Sequence, residues 1–303
     1  MPDVKTVARG QLLLAFFLIY FIWGSTYLAI RYAIETMPPF LMAGTRFFGA
    51  GFLMYCFMRL RGSTNPDGKQ WLHLSVIGTF MFLGGNGLVV WAEQYINSGL
   101  AALLVSTLPL WLIMLDWRWA NGAAPSRMAL LGICMGIVGT VLLIDPTRLV
   151  GSTIHLQGAL MVVLASLCWA IGSIYSKKII QPASIFMSAA VQMIGGGISL
   201  LIVSVVLGEP FEFELAGVSN VSIVSFFYLM VFGSMVAIST YVWLLQNASA
   251  ASVSTYAFVN PAIAIFLGWL IADEAITTHI LIGAGIILAG VFLVIRASSK
   301  APH

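Results

Sequence analysis

Apolar runs of about twenty residues, separated by short polar or Gly- and Pro-containing stretches, recur along the whole of this 303-residue chain. Each run is long enough to cross a hydrocarbon core about 30 Å thick as a helix. The pattern predicts ten spans, at 12–34, 40–60, 71–93, 98–118, 127–145, 156–177, 184–207, 220–245, 250–271 and 277–296. The runs are continuously apolar, whereas barrel strands alternate apolar and polar positions, so an all-α polytopic membrane protein is expected. Lys5 and Arg9 precede the first span, as in a signal peptide. Its apolar core is too long for one and no small-residue cleavage pattern closes it, so an uncleaved anchor is expected.

One stretch occurs twice. Trp91, Gln94, Pro109 and Trp117 match Trp243, Gln246, Pro261 and Trp269 at a constant offset of 152. Trp23 matches Trp169 at 146, where Arg31 meets Lys177, Arg46 meets Gln192, and Gly49 and Gly51 meet Gly195 and Gly197. Gly132 and Gly139 match Gly283 and Gly290 at 151. The chain therefore divides into two five-span repeats, 12–145 and 156–296. Five is odd, so the second repeat starts from the opposite side and is inverted, an arrangement used by many secondary transporters with a site near the midplane.

Composition fits this reading: 60% of residues are hydrophobic and 8% charged, with a mean hydropathy of +0.99. A soluble domain carries about 25% charged residues. With an inside N-terminus, eleven of the fourteen Lys and Arg residues fall on one side, which places both termini in the cytoplasm. Most loop acids, including Glu209, Glu212, Glu214, Asp273 and Glu274, fall on the other. The net charge of +3 is this bias and calls for no nucleic-acid partner.

These residues resemble the drug/metabolite transporter superfamily, specifically its EamA-type ten-helix members, from Phe16 to Ile295. The marks are Trp23-Gly24-Ser25, Arg46, the two Gln-to-Pro segments and a Gly-rich fifth helix in each half. Asp273-Glu274 stands where the family commonly has Gly-Glu, while Asn121-Gly122 departs from it in the first half. The resemblance implies an inner-membrane carrier, often an exporter of amino acids, metabolites or drugs, commonly without ATP.

Polar groups facing lipid are costly, so Asn86, Gln94, Gln192, Tyr241, Gln246, Tyr256 and Asn260 are expected to face one another or a central cavity. Trp23 and Trp169 recur beside small or polar residues and join this candidate substrate-binding set. Pro109 and Pro261 are read as mid-helix kinks, either passive or hinges. Asn260 precedes Pro261 and would offer its amide beside the kink.

Arg46 lies roughly 9 Å inside the outer end of its span at 1.5 Å per residue, and Glu93 sits near the outer end of the next. An unpaired charge in a span costs about 2.5–3.5 kcal/mol, which favours pairing or water access. The pair is read either as structural, as an ion pair or as side chains snorkelling to the interface, or as a proton-coupling element centred on Glu93. Gln192 and Leu245 stand at the equivalent second-half positions, so both charges vanish together.

No phosphate-binding loop, His-Glu-x-x-His pair or Gly-x-Ser-x-Gly elbow occurs in the sequence, and the three cysteines fall in three different spans. No enzyme activity, cofactor or metal is expected. The sequence reads as a secondary transporter of small molecules working by alternating access. The alternative is a lipid or lipid-linked-sugar flippase on the same scaffold. A sensor would need an output domain that these short loops leave no room for.

Overall fold

The computed structural model describes residues 9–119, 125–144, 153–176, 178–179, 184–247 and 256–298. Ten helical spans run through them: α1 (Arg9–Ala33), α2 (Pro39–Leu60), α3 (Gly68–Ala92), α4 (Ser98–Trp119), α5 (Arg127–Ile144), α6 (Thr153–Ser176), α7 (Ile185–Val206), α8 (220–247), α9 (Tyr256–Ala272) and α10 (Thr278–Ser298). Seven are long and apolar enough to cross a membrane, and shorter apolar stretches in α5, α9 and α10 complete the ten. Boundaries agree with the sequence reading within three residues except at the start of α9, which follows residues outside the described set. Lys5, Asn121, Gly122, Lys177 and Lys300 also lie outside it.

Local chemistry accounts for the helix ends. Asp67 and Gln70 form a reciprocal capping box at the start of α3. Pro39 opens α2 in the first turn, where its missing N–H is no loss. The carboxylate of Glu209, from the loop after α7, accepts from Phe40 N at 3.1 Å and Leu41 N at 2.7 Å. A second-half glutamate thus caps a first-half helix, where the exposed N–H groups favour negative charge. Gly208, at φ +83°, turns the chain out of α7 in the left-handed region.

The inverted repeat is visible in the packing. α2 lies against its counterpart α7, and α5 against its counterpart α10. α1 packs on α8 and α9, as its counterpart α6 packs on α3 and α4. Glycines bring the paired backbones together: a Cβ on Gly51 would fall 2.8 Å from the Ala190 carbonyl oxygen, and one on Gly290 would fall 2.6 Å from that of Gly132. Such close approach is how helices associate where lipid removes the hydrophobic drive. Large apolar side chains such as Phe17, Phe52, Leu60, Ile202, Phe227 and Phe292 face outward, as a lipid-facing surface requires.

Three irregularities interrupt the spans. Residues Thr79–Gly87 of α3 and Leu229–Val236 of α8 are π-helical, at equivalent places in the two repeats. In α4, the helix breaks after Val105 and resumes at Leu108. Ser106 Oγ and Thr107 Oγ1 donate to the carbonyls of Leu103 and Leu104 at 2.5 and 2.7 Å, alongside their own backbone N–H groups, and tighten the turn at the break. Pro109 therefore stands in the first turn of a new helical segment, not mid-helix as the sequence suggested. Pro261 does lie inside its helix, α9.

Candidate functional site

The site is built along one face of α1. Trp23, Tyr27 and Arg31 are spaced four residues apart, so they share that face at intervals of about 6 Å. Trp23 meets Tyr241 of α8 and Tyr256 of α9, each with ring centroids 5.2 Å away, and the two tyrosines stand 6.1 Å from each other. Three residues proposed from sequence thus form one aromatic cluster joining α1 to the second repeat. One turn along α9, Asn260 is buried and its Oδ1 has no hydrogen-bond partner. Gly24 permits this contact: a Cβ there would fall 2.8 Å from Ile263 Cβ and 3.3 Å from the Asn260 carbonyl oxygen.

Tyr27, between Trp23 and Arg31 on the same face, packs against the buried cluster that holds Val89, Ala92 and Ala101. One turn further, Arg31 reaches a cavity of about 400 Å³ at the end of the bundle where α1 and α3 finish. Arg31, Glu35, Glu93, Gln94, Tyr95 and Asn97 are among its lining residues. Glu93 is 5% exposed, yet neither carboxylate oxygen has a hydrogen-bond partner.

Beside the cavity, Arg31 Nη1 forms an ion pair with Glu274 Oε1. The same oxygen accepts from Ser98 N at 3.1 Å and Ser98 Oγ at 2.8 Å, and Oε2 accepts from Gly99 N at 3.2 Å. Glu274, from the loop after α9, thus caps the N-terminus of α4 in the other repeat. Gly268 makes room for it, since a Cβ there would lie 2.5 Å from Glu274 Oε2. The sequence reading missed this network. Its signal was the acid closing the ninth span, together with the matched cations Arg31 and Lys177, but Glu274 was counted as a loop acid.

The Arg46–Glu93 pair expected from sequence does not form. Arg46 is 3% exposed and points into α8, where Nε donates to Ser234 Oγ at 3.1 Å and the guanidinium carbon sits 4.5 Å from the Phe47 ring centroid. Ser234 Oγ in turn donates to the Leu229 carbonyl at 3.1 Å, within the π-helical segment. Arg46 therefore braces that irregular backbone, while Glu93 lines the cavity with Arg31 and Glu35. The direction of each side chain around its helix was not legible in the sequence.

The remaining residues divide. Trp169 is half-buried on α6 against the π-helical part of α3, edge-on to Phe82 at 6.0 Å, with Gly85 leaving room for its ring. Asn86 lies in that same segment with a buried, unpartnered Oδ1. Gln192 is half-buried on α7, where its backbone presses on Gly78 of α3. Gln94 is exposed beyond the end of α3, its Nε2 donating to the Trp91 carbonyl at 3.0 Å, so it lines the cavity at the end of the bundle rather than a deep one. Gln246 lies in α8, but its side chain is outside the described set.

Comparison with known proteins gives a consistent result. The profile described as "EamA-like transporter family" matches residues 10–145 and again 156–296. The chain is 36% identical over 281 residues to the "Uncharacterized inner membrane transporter YedA" of Escherichia coli, covering 92% of this chain and 89% of that one. It is 30% identical over 285 residues to Protein PagO of Salmonella typhimurium, covering 93% and 92%. A solved crystal structure superposes with a TM-score of 0.65 at 16% identity, over 95% of this chain and 98% of the other, which shows a shared fold. Two profile matches in tandem, over a ten-helix fold whose packing repeats between its halves, establish that this chain belongs to the EamA-like transporter family.

Proposed function

We propose that this protein is a secondary-active carrier that exports small metabolites, amino acids or drug-like compounds by alternating access, with 12–145 and 156–296 as the two moving bodies. The observation that carries this reading is the Trp23–Tyr27–Arg31 face of α1. It runs along the seam between the repeats, from the aromatic cluster with Tyr241 and Tyr256 to the cavity beside Glu93. Buried polar atoms without partners, on Asn260 and Glu93, stand beside that path, as expected of groups that meet a ligand during the cycle. Energy from a proton gradient is part of the proposal, although not through an Arg46–Glu93 pair. The reading involves no enzymatic step or cofactor.

Comparing the medium of cells that overexpress or lack the protein, by mass spectrometry, identifies the exported solute. Reconstituted protein should then move that solute across proteoliposomes without scrambling lipid headgroups. Headgroup scrambling without solute flux would instead make it a flippase.

We also place the protein in the inner membrane, as the name of the YedA relative does for that protein, with both termini cytoplasmic. The Lys and Arg distribution supports this orientation. In a background lacking Cys56, Cys134 and Cys168, a Glu212→Cys variant should react with an impermeant thiol reagent in intact spheroplasts. Labelling only after permeabilisation reverses the orientation.

A further inference from the structure

The charges around the cavity at the end of the bundle do not balance. Arg31, Glu35 and Glu93 line it. Arg31, however, is already engaged by Glu274, which is anchored in turn on Ser98 and Gly99. The one cation is therefore compensated from outside the cavity, and two carboxylates remain that form no ion pair among the described residues. Glu93 is the telling member, being 5% exposed with both oxygens unpartnered. Buried polar groups are nearly always hydrogen-bonded, and leaving a carboxylate without donors is costly.

Resting on the carrier reading above, we infer that this cavity binds small organic amines through their protonated amino group, with Glu93 as the acceptor. An ammonium group brings both the positive charge and the N–H donors that Glu93 lacks, making short, charge-assisted hydrogen bonds. A neutral alcohol of the same shape donates one hydrogen bond but brings no charge, and an anion finds Arg31 already engaged by Glu274. Tyr95 lines the same cavity and Asn97 adds an amide, so an aromatic ring and a polar group are at hand for the rest of the ligand. A volume of about 400 Å³ is in the range of small-molecule sites. The site is not duplicated, since Leu245 stands at the position equivalent to Glu93.

The test uses the full chain in lipid nanodiscs, titrated calorimetrically with n-butylammonium and, as neutral and anionic counterparts, 1-butanol and butyrate. Wild-type protein should bind butylammonium saturably and neither counterpart. Glu93→Gln keeps the shape and removes the charge, and should weaken binding about tenfold or more. Glu93→Asp should retain part of it. Butylammonium affinity unchanged in Glu93→Gln overturns the inference. So does equal binding of 1-butanol by wild-type protein, an outcome that needs no variant to fold. Binding is read without a gradient or flux, so either failure leaves the carrier reading to its own assay.

Discussion

Replacing Gly78 by alanine should leave little stable protein. A Cβ on Gly78 would overlap the Gln192 carbonyl oxygen, approach its carbon to 2.8 Å, and come within 3.0 Å of Gly196 N. All three are backbone atoms, so no rotamer change relieves the clash, and α3 and α7 must separate. Overpacking of a tight contact costs about 3 kcal/mol when the surroundings cannot give. This contact sits where the first repeat packs on the second, next to the π-helical segment that carries Asn86. Gly285→Ala is the control, because nothing lies within 4 Å of its Cβ; its effect should stay within about 0.5 kcal/mol. Thermal unfolding in detergent, followed by size-exclusion recovery, measures both. Equal stability of the two variants would mean that α3 and α7 are not packed as described.

The second large effect is expected at Glu274. Glu274→Gln should destabilise the protein by about 2 kcal/mol, because the buried carboxylate collects donors from Arg31, Ser98 and Gly99. The complementary Arg31→Gln should cost less than about 1 kcal/mol. Arg31→Gln leaves Glu274 its donors from Ser98 and Gly99, whereas Glu274→Gln weakens those and the ion pair together. The order matters more than the sizes. Arg31→Gln proving the more damaging would show that the cap on α4 contributes little and that the ion pair dominates. Because Glu274 belongs to one repeat and Ser98 to the other, the same contact holds the repeats together at this end of the bundle. Any motion that opens the seam here has to break it.

Much of this was legible in the sequence for identifiable reasons. Span positions follow from length and apolarity, which a bilayer enforces on each segment separately. The repeat shows in residues such as Trp23 and Trp169, because duplicated packing preserves large side chains. The aromatic cluster followed from the cost of placing Tyr241 and Tyr256 against lipid. What the sequence hid depends on rotation about a helix axis and on contacts far apart in the chain. Arg46 turns to Ser234, whereas Glu93 lines the cavity with Arg31. Glu274 and Ser98 are 176 residues apart, and no periodicity relates them. The π-helical segments were equally hidden, since Thr79–Gly87 and Leu229–Val236 share little sequence beyond their place in the repeat.

The central claim is that solute passes along the seam between the repeats by alternating access. Counterflow tests it most directly. Proteoliposomes are preloaded with the unlabelled exported solute, diluted into a trace of the labelled form, and followed without any ion gradient. A carrier should show transient accumulation of label above equilibrium, because unlabelled solute leaving the vesicle returns the binding site to face outward. Trp23→Ala, which removes the ring joining α1 to Tyr241 and Tyr256, should abolish that overshoot while the protein still reconstitutes. Label that rises only to equilibrium in wild-type vesicles, or an overshoot undiminished in Trp23→Ala, would contradict the account.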